Sequence, residues 1–365
     1  MSESVHKADS YNRTMHRRAF LQTLATPAFA AQSPSANKTR LGYDTYSIRA
    51  YKLKALEHLD LCAKWKLDAI QISSLGDFES LEPAYLAKVK SRAAEFGVAI
   101  DAGIGCICPL STSWSAREGD PRLYLSKGLT AAKAVGARSL RCYLGASADR
   151  RGKYSMEQLI ESTVKALKSV RSESVDSGVK IAVENHSGDM QARELRTLIE
   201  QAGPDFVSAC LDTGNPMLVV EDPLAALEIL APYVMTTHIR DSAVWDSPQG
   251  IWWQWVAMGD GSIDFKKFVK RYRELCPNAA MQLEVITGRP PSLLRCYEPE
   301  FWKAFPKAGA AEFARFVALA KSGKPYLGPM MIGGAGKQSA AFDAALKEQQ
   351  MTDLERSLTY AKSIL

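Results

Sequence analysis

An α/β fold, a (β/α)8 TIM barrel with a C-terminal extension, is predicted by three observations on this 365-residue sequence. Short β-rich runs alternate with amphipathic helical patterns from Leu41 onward, and parallel neighbouring strands need such crossover connections. The runs number eight, which favours a closed barrel over an open sheet. No Gly-rich turn of the dinucleotide-binding type follows a predicted strand, which further disfavours the open, doubly wound sheet.

The elements of the repeat are defined by their periodicity and by the residues that end them. The predicted strands are 41–48, 68–73, 98–104, 139–144, 179–185, 206–212, 234–239 and 280–286. The predicted helices are 53–66, 82–97, 121–136, 156–177, 192–202, 223–231 and 264–275. Gly97, Gly136, Gly178 and Gly203 stand where four of these helices should stop. Pro204 follows a helix end, as expected of a residue that cannot continue a helix.

Two segments depart from the repeat after the last two strands, and the chain continues beyond them. Residues 243–262 form an insertion that contains four of the seven tryptophans, and residues 287–330 follow strand eight with a helix predicted at 310–321. Long loops at this end of a barrel are typical of functional lids, although the tryptophans could equally pack the insertion onto the barrel. We therefore assign the barrel to residues 41–330. Residues 331–365 are predicted to be a linker followed by a short terminal helix at 351–364.

The composition is that of an ordinary globular protein, with 46% hydrophobic and 24% charged residues. The net charge of +6 is scattered, and no basic run interleaved with aromatic residues indicates a nucleic-acid partner. The seven cysteines are an odd number and most lie in apolar segments, which favours small buried side chains over a disulfide framework. Beyond the N-terminus no stretch approaches the roughly 18 apolar residues of a membrane span, so no stable membrane anchor is expected.

Residues 1–31 are predicted to be a twin-arginine export signal. The segment Arg17-Arg18-Ala19-Phe20-Leu21 opens a charge-free stretch, and Ala28-Phe29-Ala30 is a small-x-small cleavage pattern. Met15 is an alternative start. The interpretation predicts an exported, periplasmic protein. The alternative is a disordered basic tail with a chance arginine pair, which would leave the protein in the cytoplasm.

Four metal-capable side chains stand at the ends of four predicted strands. They are Glu184, Asp212, His238 and Glu284, separated by 28, 26 and 46 residues. The first two spacings equal one strand–helix unit, and the carboxyl ends of barrel strands converge on one mouth, where active sites form. Three carboxylates and one imidazole suit a divalent ion such as Mn²⁺, Mg²⁺, Co²⁺ or Zn²⁺. The sequence therefore predicts a metal-dependent enzyme.

Around these residues the chain resembles the xylose-isomerase-like superfamily of TIM barrels, which includes sugar isomerases, ketose epimerases, inosose dehydratases and endonuclease IV. The matching segments are Val183-Glu184-Asn185-His186, Leu211-Asp212-Thr213-Gly214-Asn215, Asp222-Pro223, His238-Ile239-Arg240-Asp241, Met258-Gly259-Asp260-Gly261 and Leu283-Glu284. The resemblance spans roughly residues 41–290. It implies that Glu184, Asp212, His238 and Glu284 bind one divalent ion, commonly Mn²⁺. It also implies that Glu184 and Glu284 are the catalytic acid–base pair.

The reaction implied by this resemblance is isomerisation or epimerisation of a hydroxy-carbonyl sugar through an enediolate. A bound cation acidifies the proton on the carbon between the hydroxyl and the carbonyl, and a nearby carboxylate removes it as general base. The predicted export signal favours a non-phosphorylated sugar or keto-sugar. We expect a small-molecule carbohydrate as the partner of this site, no nucleic acid, and a chain that could form a homo-oligomer.

Four further side chains near the predicted ligands are interpreted as substrate-binding: His186, Asn215, Arg240 and Trp245. His186 lies two residues beyond Glu184, on the same side of an extended strand. It could equally support the ligands from behind, and Arg240 could neutralise the metal site. Asn215 stands where ketose epimerases usually have a histidine, so that subgroup's substrate contacts are not reproduced. Its alternative interpretation is a helix N-cap before Pro216.

Three other functions stay open at this stage. The same deprotonation followed by elimination would make the protein a sugar dehydratase or a keto-glycoside lyase. An endonuclease is disfavoured because that branch holds three zinc ions and needs further histidines, whereas the barrel has only His58, His186 and His238. A non-catalytic sugar-binding barrel is disfavoured by the intact set of four ligands.

Overall fold

Eight parallel strands form a nearly closed barrel in this computed structural model, which describes residues 39–333 and 336–365. The strands in chain order are β1 (Leu41–Asp44), β2 (Ala69–Ile72), β3 (Ala99–Cys106), β4 (Ser139–Tyr143), β5 (Lys180–Glu184), β6 (Val207–Asp212), β7 (Val234–His238), β8 (Asp241–Ser247), β9 (Gly250–Val256), β10 (Met281–Leu283) and β11 (Ser292–Leu294). The barrel strands pair in the order β10-β1-β2-β3-β4-β5-β6-β7. A parallel bridge between Ile239 and Leu283 links the two ends of this sheet. The predicted (β/α)8 TIM barrel is confirmed, whereas the predicted export signal at 1–31 lies outside the described residues.

Helices cover the outside of the barrel. They are α1 (Ala55–Trp65), α2 (Pro83–Phe96), α3 (Pro121–Val135), α4 (Met156–Lys168), α5 (Arg171–Ser177), α6 (Ala192–Ala202), α7 (Pro223–Leu230), α8 (Phe265–Leu275), α9 (Ala310–Ser322) and α10 (Ala340–Ile364). The side chain of Asp120 caps α3 by accepting from the Arg122 N–H, and Gly136 ends that helix in the left-handed region at φ +76°. The helix predicted at 156–177 is instead two helices. The Ser169 hydroxyl donates to the Ala166 carbonyl at 2.6 Å and competes with the backbone bonds there.

The insertion after strand seven is a β-hairpin. Strands β8 and β9 pair antiparallel around a turn at Pro248-Gln249, and β11 adds to the other edge of β9. A second hydrophobic cluster lies beneath this small sheet, with Trp253, Phe301, Phe305 and Phe316 among its buried members. The tryptophan-rich insertion and the segment after β10 are therefore packed together as one extension of the barrel.

The C-terminal segment differs from the predicted linker and short helix. Helix α10 already begins at Ala340, after the Ser339 hydroxyl accepts from the Phe342 N–H, and it runs for 25 residues. Leu354 and Leu358 are buried in the main core. The Trp65 indole N–H donates to Glu355 at 3.2 Å, which ties α10 to α1. Because α10 also contacts α8, it completes the outer ring of barrel helices.

The described residues also show the state of the cysteines and whether any helix could span a membrane. All seven cysteines are free and buried, as expected of small hydrophobic side chains. Among the helices of residues 39–333 and 336–365, none has both the length and the apolar character needed to cross a bilayer.

Candidate metal and substrate site

The four predicted metal ligands meet at the carboxyl end of the barrel. One ligand atom from each of Glu184, Asp212, His238 and Glu284 lies within 4.8 Å of the others, and all four side chains are buried. Strand register explains the meeting, because Asp212 at the end of β6 stands directly opposite His238 at the end of β7, and Glu184 at the end of β5 pairs with Cys210, two residues before Asp212. Glu284 follows β10, whose Leu283 bridges to Ile239 next to His238.

The two nitrogens of His238 face different surroundings. Nδ1 lies 3.3 Å from both Glu184 Oε1 and Glu284 Oε2, whereas Nε2 lies 3.3 Å from Asp44 Oδ2. The side-chain amide of Gln71 contacts the same Nε2 and donates to Asp44 at 3.1 Å. A carboxylate beside one histidine nitrogen is the arrangement by which metal-binding histidines are commonly oriented, with the other nitrogen as ligand. Asp44 therefore holds His238 with Nδ1 turned toward the other carboxylates.

Arg141, on β4, contacts one oxygen of Glu184. Its Nε donates to Glu184 Oε2 at 2.6 Å, a second guanidinium nitrogen contacts the same oxygen, and Nη1 donates to the Ile104 carbonyl at 3.2 Å. The other oxygen of that carboxylate, Oε1, accepts from the Asn215 amide at 3.1 Å. Glu184 is therefore fixed by partners on both of its oxygens.

Arg240 connects the remaining two carboxylates. Its guanidinium contacts Asp212 through two nitrogens, and Nη1 lies 2.9 Å from Glu284 Oε2. The same guanidinium lies 4.4 Å from the centre of the Trp255 ring. Residue 214 must be glycine for this approach, because a Cβ there would lie 2.6 Å from Arg240 Cγ. Arg240 is therefore packed from two sides and cannot swing freely.

The carboxylates have very different proton affinities. Burial alone would raise the pKa of Glu184, but the Arg141 guanidinium and His238 outweigh it and hold that pKa well below its usual range. Burial raises the pKa of Asp212 to about 7, although Arg240 opposes the shift. Burial would lower the pKa of His238, yet Glu284, Glu184 and Asp44 raise it well above its usual value. A positive charge at this point is strongly favoured, from a protonated imidazole or from a divalent ion bound to the neutral ring.

The residues present fit a divalent metal ion. Four carboxylates (Asp44, Glu184, Asp212 and Glu284) face two guanidiniums (Arg141 and Arg240), so the group carries two formal negative charges when His238 is neutral. One divalent ion would balance that charge. Among the described residues, His238 Nδ1 and Glu284 Oε2 are buried and form no well-aligned hydrogen bond, although Glu284 Oε2 forms an ion pair with Arg240. Oxygen and imidazole donors of this kind suit Mg²⁺, Mn²⁺ and Zn²⁺.

A cavity of about 380 Å³ opens over this group. Its lining is mostly polar and aromatic and includes Tyr46, Ser73, Arg141, Tyr143, His186, Asn215, Arg240, Trp255, Glu284 and Arg289. Of the four predicted metal ligands, Glu284 alone is part of that lining. The volume suits a monosaccharide, since small-molecule pockets begin at about 300 Å³.

Three of the four predicted substrate-binding residues, His186, Asn215 and Arg240, line this cavity. Trp245 does not, because it faces the other side of the hairpin and stacks on Trp252, with ring centres 6.1 Å apart. Trp255 is the tryptophan that lines the cavity. Asn215 is the first residue of a 3₁₀ helix that follows Gly214, so the alternative interpretation of Asn215 as an N-cap is wrong.

His186 is held as a neutral ring. Its Nδ1 donates to the Gly145 carbonyl at 2.7 Å, and the ring stacks on Tyr143 with centres 3.8 Å apart. Burial lowers the pKa of His186 to about 4. Because a carbonyl can only accept, Nδ1 carries the proton and Nε2 is left as an acceptor. His186 can therefore accept a hydrogen bond from a hydroxyl in the cavity.

Several residues of the site were not predicted. Arg141 carried a signal, because a charged residue inside an apolar parallel strand must face a partner in the barrel. Asp44 ends β1 just as the four predicted ligands end or follow their strands, but the first strand was predicted to extend to residue 48, which placed Asp44 in its middle. Arg289 lies in the irregular segment after β10. Trp255 lies on strand β9, and periodicity alone does not show which face of that strand turns toward the cavity.

Comparison with known proteins agrees with this architecture. The chain matches the xylose isomerase-like TIM barrel family over residues 59–304. Two curated relatives are similar to parts of the chain at low sequence identity. An uncharacterized protein YihM from Escherichia coli K12 is 25% identical over 142 residues, which is 39% of this chain and 41% of that protein. The 3-oxo-isoapionate decarboxylase from Pectobacterium atrosepticum is 23% identical over 185 residues, 51% of this chain and 60% of that protein. The chain thus matches only about half the length of these relatives.

Solved structures share the fold at low sequence identity. D-psicose 3-epimerase with D-tagatose from Clostridium cellulolyticum is 14% identical, with a TM-score of 0.55 over 77% of this chain and 96% of that one. The 3-keto-D-glucoside 4-epimerase from E. coli is 15% identical, with a TM-score of 0.54 over 77% and 98%. A Mycobacterium smegmatis barrel in complex with magnesium is 12% identical, with a TM-score of 0.53 over 89% and 100%. The family match over most of the barrel is decisive: this chain belongs to the xylose isomerase-like TIM barrel family.

Proposed function

We propose that this protein is a divalent-metal-dependent isomerase or epimerase, which moves a proton on a hydroxy-carbonyl sugar. The observation that carries the proposal is the convergence of four donor side chains beneath a cavity of monosaccharide size, with Glu284 shared between the two. Similar structures named as sugar epimerases, and one in complex with magnesium, support it. A non-phosphorylated sugar or keto-sugar remains the predicted substrate.

Glu184, Asp212, His238 and Glu284 would hold the ion, for which we propose Mn²⁺, with Mg²⁺, Co²⁺ and Zn²⁺ as alternatives. An ion bound there would polarise the carbonyl and hydroxyl oxygens of a sugar and so acidify the carbon-bound proton between them. Glu284 would remove that proton, because its carboxylate lines the cavity. Returning that proton to the neighbouring carbon from the same side, while the hydroxyl proton passes to the former carbonyl oxygen, needs no second base at carbon and would complete an isomerisation.

Epimerisation would additionally need an acid on the opposite face of the sugar. Glu184 is the proposed second member of the acid–base pair, but both of its oxygens are engaged by Arg141 and Asn215. His186 Nε2 and Arg240 would bind sugar hydroxyls and carbonyl oxygens, and the Trp255 ring would exclude water on one side.

A substrate panel tests the proposal. Metal analysis of the purified protein should find about one divalent ion per chain, which Glu184→Gln and His238→Ala should remove. Proton NMR in deuterated water with ketoses, aldoses and 3-keto-glycosides should show exchange of a carbon-bound proton with conversion to an isomer. Absence of a bound ion after loading with Mn²⁺, or no exchange with any sugar, would reject the function.

A lyase is the second candidate, and the similarity to 3-oxo-isoapionate decarboxylase favours it. In such a reaction the bond to a carboxylate breaks instead of a C–H bond. The electron pair stays on the sugar as an enolate, CO₂ leaves, and a proton is added to the carbon. The same site would also serve elimination of water or an aglycone from the deprotonated sugar. Release of CO₂, water or aglycone in the NMR panel, in place of isomer formation, would establish lyase chemistry.

Replacing Asp44 by asparagine is expected to weaken binding of the divalent ion by about 10- to 100-fold. The amide keeps the shape of the carboxylate but no longer accepts strongly from His238 Nε2, so Nδ1 loses orientation and basicity. Calorimetric titration of metal-free protein with Mn²⁺ measures the change. Asp60→Asn is the control, because Asp60 lies on the surface and pairs with Arg92. Equal affinity in the two variants would show that Asp44 does not orient the ligand.

We also propose export through the twin-arginine pathway, which would place the protein in the periplasm. Changing both Arg17 and Arg18 to lysine is expected to abolish export while leaving the folded enzyme unchanged. Cell fractionation with the full-length chain measures this. Recovery of the double variant from the periplasm in normal amount would contradict the proposal.

A further inference from the structure

We propose that the sugar bound by this protein carries an acidic group, which docks on Arg49 and Arg289 at the mouth of the cavity. A carboxylate is the group that agrees with the non-phosphorylated substrate proposed above, and docking of a phosphate monoester would replace that substrate class. The inference rests on the proposed function in taking this cavity as the substrate site. It goes further in naming the substrate class.

Arg289 is an exposed cation of the cavity lining that has no anionic partner. Among the described residues no carboxylate forms an ion pair with it, whereas Arg295, six positions along, pairs with Glu298 at 3.0 Å. In the same part of the chain Arg117, Arg138 and Arg151 are also exposed without an ion pair, but none of them lines the cavity. The segment that carries Arg289 is held in place, because the Gln254 amide donates to the Arg289 carbonyl at 3.1 Å. The backbone of Arg289 is therefore anchored at the cavity, and the charge of its guanidinium is open to a ligand.

Arg49 is a second cation without an ion-pair partner in the described part of the chain, and it is half-buried. Its guanidinium lies 4.5 Å from the centre of the Tyr46 ring, and Nη1 donates to the Tyr46 carbonyl at 3.2 Å. Tyr46 itself lines the cavity. Burial lowers the pKa of Arg49, and the positive charges of Arg289 and Arg240 lower it further, against the opposing effects of Tyr46 and Glu284. The Arg49 guanidinium thus lies close enough to Arg289 and Arg240 to be affected by their positive charges.

Charge balance shows which of these arginines are available to bind an acidic group of the substrate. Arg240 is committed to Asp212 and Glu284, and one divalent ion would neutralise what remains of the buried group. The charges of Arg49 and Arg289 are then left uncompensated at the mouth. A guanidinium prefers carboxylate or phosphate oxygens, which it binds through parallel N–H donors. A sugar with its reacting carbon at Glu284 and an acidic group at the mouth would satisfy both ends of the cavity.

Binding of matched sugars to the Mn²⁺-loaded protein tests the inference. D-fructose, D-fructuronate and D-fructose 6-phosphate differ in the group at one end of the same ketose, and isothermal titration calorimetry measures their affinities. At least one acidic sugar is expected to bind about 10- to 100-fold more tightly than D-fructose. Arg289→Gln and Arg49→Gln should each lower the affinity for the acidic sugar much more than the affinity for D-fructose, and so remove most of that advantage. Arg295→Gln, on a nearby exposed arginine outside the cavity, should change neither affinity.

The outcomes separate the inference from the proposed function. Whichever acidic sugar binds more tightly identifies the carboxylate or the phosphate as the docked group. Equal affinity for neutral and acidic sugars, or an acid preference that persists in both variants, would overturn the inference. Proton exchange is followed by NMR on the same samples. Acid-selective binding without exchange would reject only the isomerase function, whereas exchange on D-fructose without acid preference would reject only the acidic substrate.

Discussion

Replacing Glu284 by glutamine is expected to lower the rate of carbon-bound proton exchange by about 10²- to 10⁴-fold, the contribution of a well-placed general base. Glu284 is the predicted ligand that lines the cavity, so its carboxylate can reach a substrate carbon. An amide keeps the size and one donor oxygen but cannot accept the proton. The measurement is deuterium incorporation by NMR, made at saturating Mn²⁺ so that weaker metal binding does not mimic a loss of the base.

Two further variants serve as the comparison and the control for Glu284→Gln. Glu184→Gln is expected to reduce metal content more than Glu284→Gln does, because Glu184 is buried among Arg141, His238 and Asn215 and does not line the cavity. Glu298→Gln, on a surface residue paired with Arg295, controls for the substitution itself. If the Mn²⁺-saturated Glu284→Gln protein exchanges protons within about tenfold of the wild-type rate, the base lies elsewhere.

The barrel could be predicted because its two signals are local. A strand buried on both faces is a short apolar run, and the helix after it has a 3.6-residue period with a glycine at its end. Each strand–helix unit can therefore be recognised without its neighbours. Part of the site could be predicted from the sequence for a related reason. Strand ends converge by geometry alone, so Glu184, Asp212 and His238 could be placed near one another from their positions in the repeat, and the structure brings them together.

What the sequence could not supply depends on partners distant in the chain. Arg141 is a lone charge in an apolar strand, and only the register of β4 against β5 places it beside Glu184, 43 positions later. The hairpin is a similar case. Four tryptophans fall within eleven residues of the β8–β9 region, and the pairing of Trp245 with Trp252 decides which of them turn away from the cavity. One shift in register would exchange their faces.

The first part of helix α10 differs from the prediction for another reason. Residues 340–350 contain four alanines and two glutamines but only two large apolar side chains, so their hydrophobic pattern indicates a linker. The same residues are strong helix formers, and the Ser339 cap with the buried Leu354 and Leu358 further along is enough to fix the helix. The start of α10 is therefore indicated by intrinsic helix propensity and not by the hydrophobic pattern.

Replacing Arg141 by methionine is expected to lower the free energy of unfolding of the metal-free protein by about 3–5 kcal/mol. The substitution keeps an unbranched side chain but leaves the Glu184 carboxylate buried without its main counter-charge. Urea unfolding in the presence of a chelator measures the change. Arg122→Met is the matched control, because its ion pair with Glu173 is exposed and should be worth less than about 1 kcal/mol. Similar losses in the two variants would contradict the role assigned to Arg141.

Added metal distinguishes lost charge from lost packing in the Arg141→Met protein. Without that guanidinium the buried group carries three formal negative charges instead of two, so a divalent ion should bind more tightly than in the wild type. Because the ion binds only the folded state, tighter binding restores more stability at a given Mn²⁺ concentration. A packing defect would instead leave the same deficit at every metal concentration. A constant gap between the two proteins across a Mn²⁺ titration would therefore show that Arg141 supports the barrel by its shape and not by its charge.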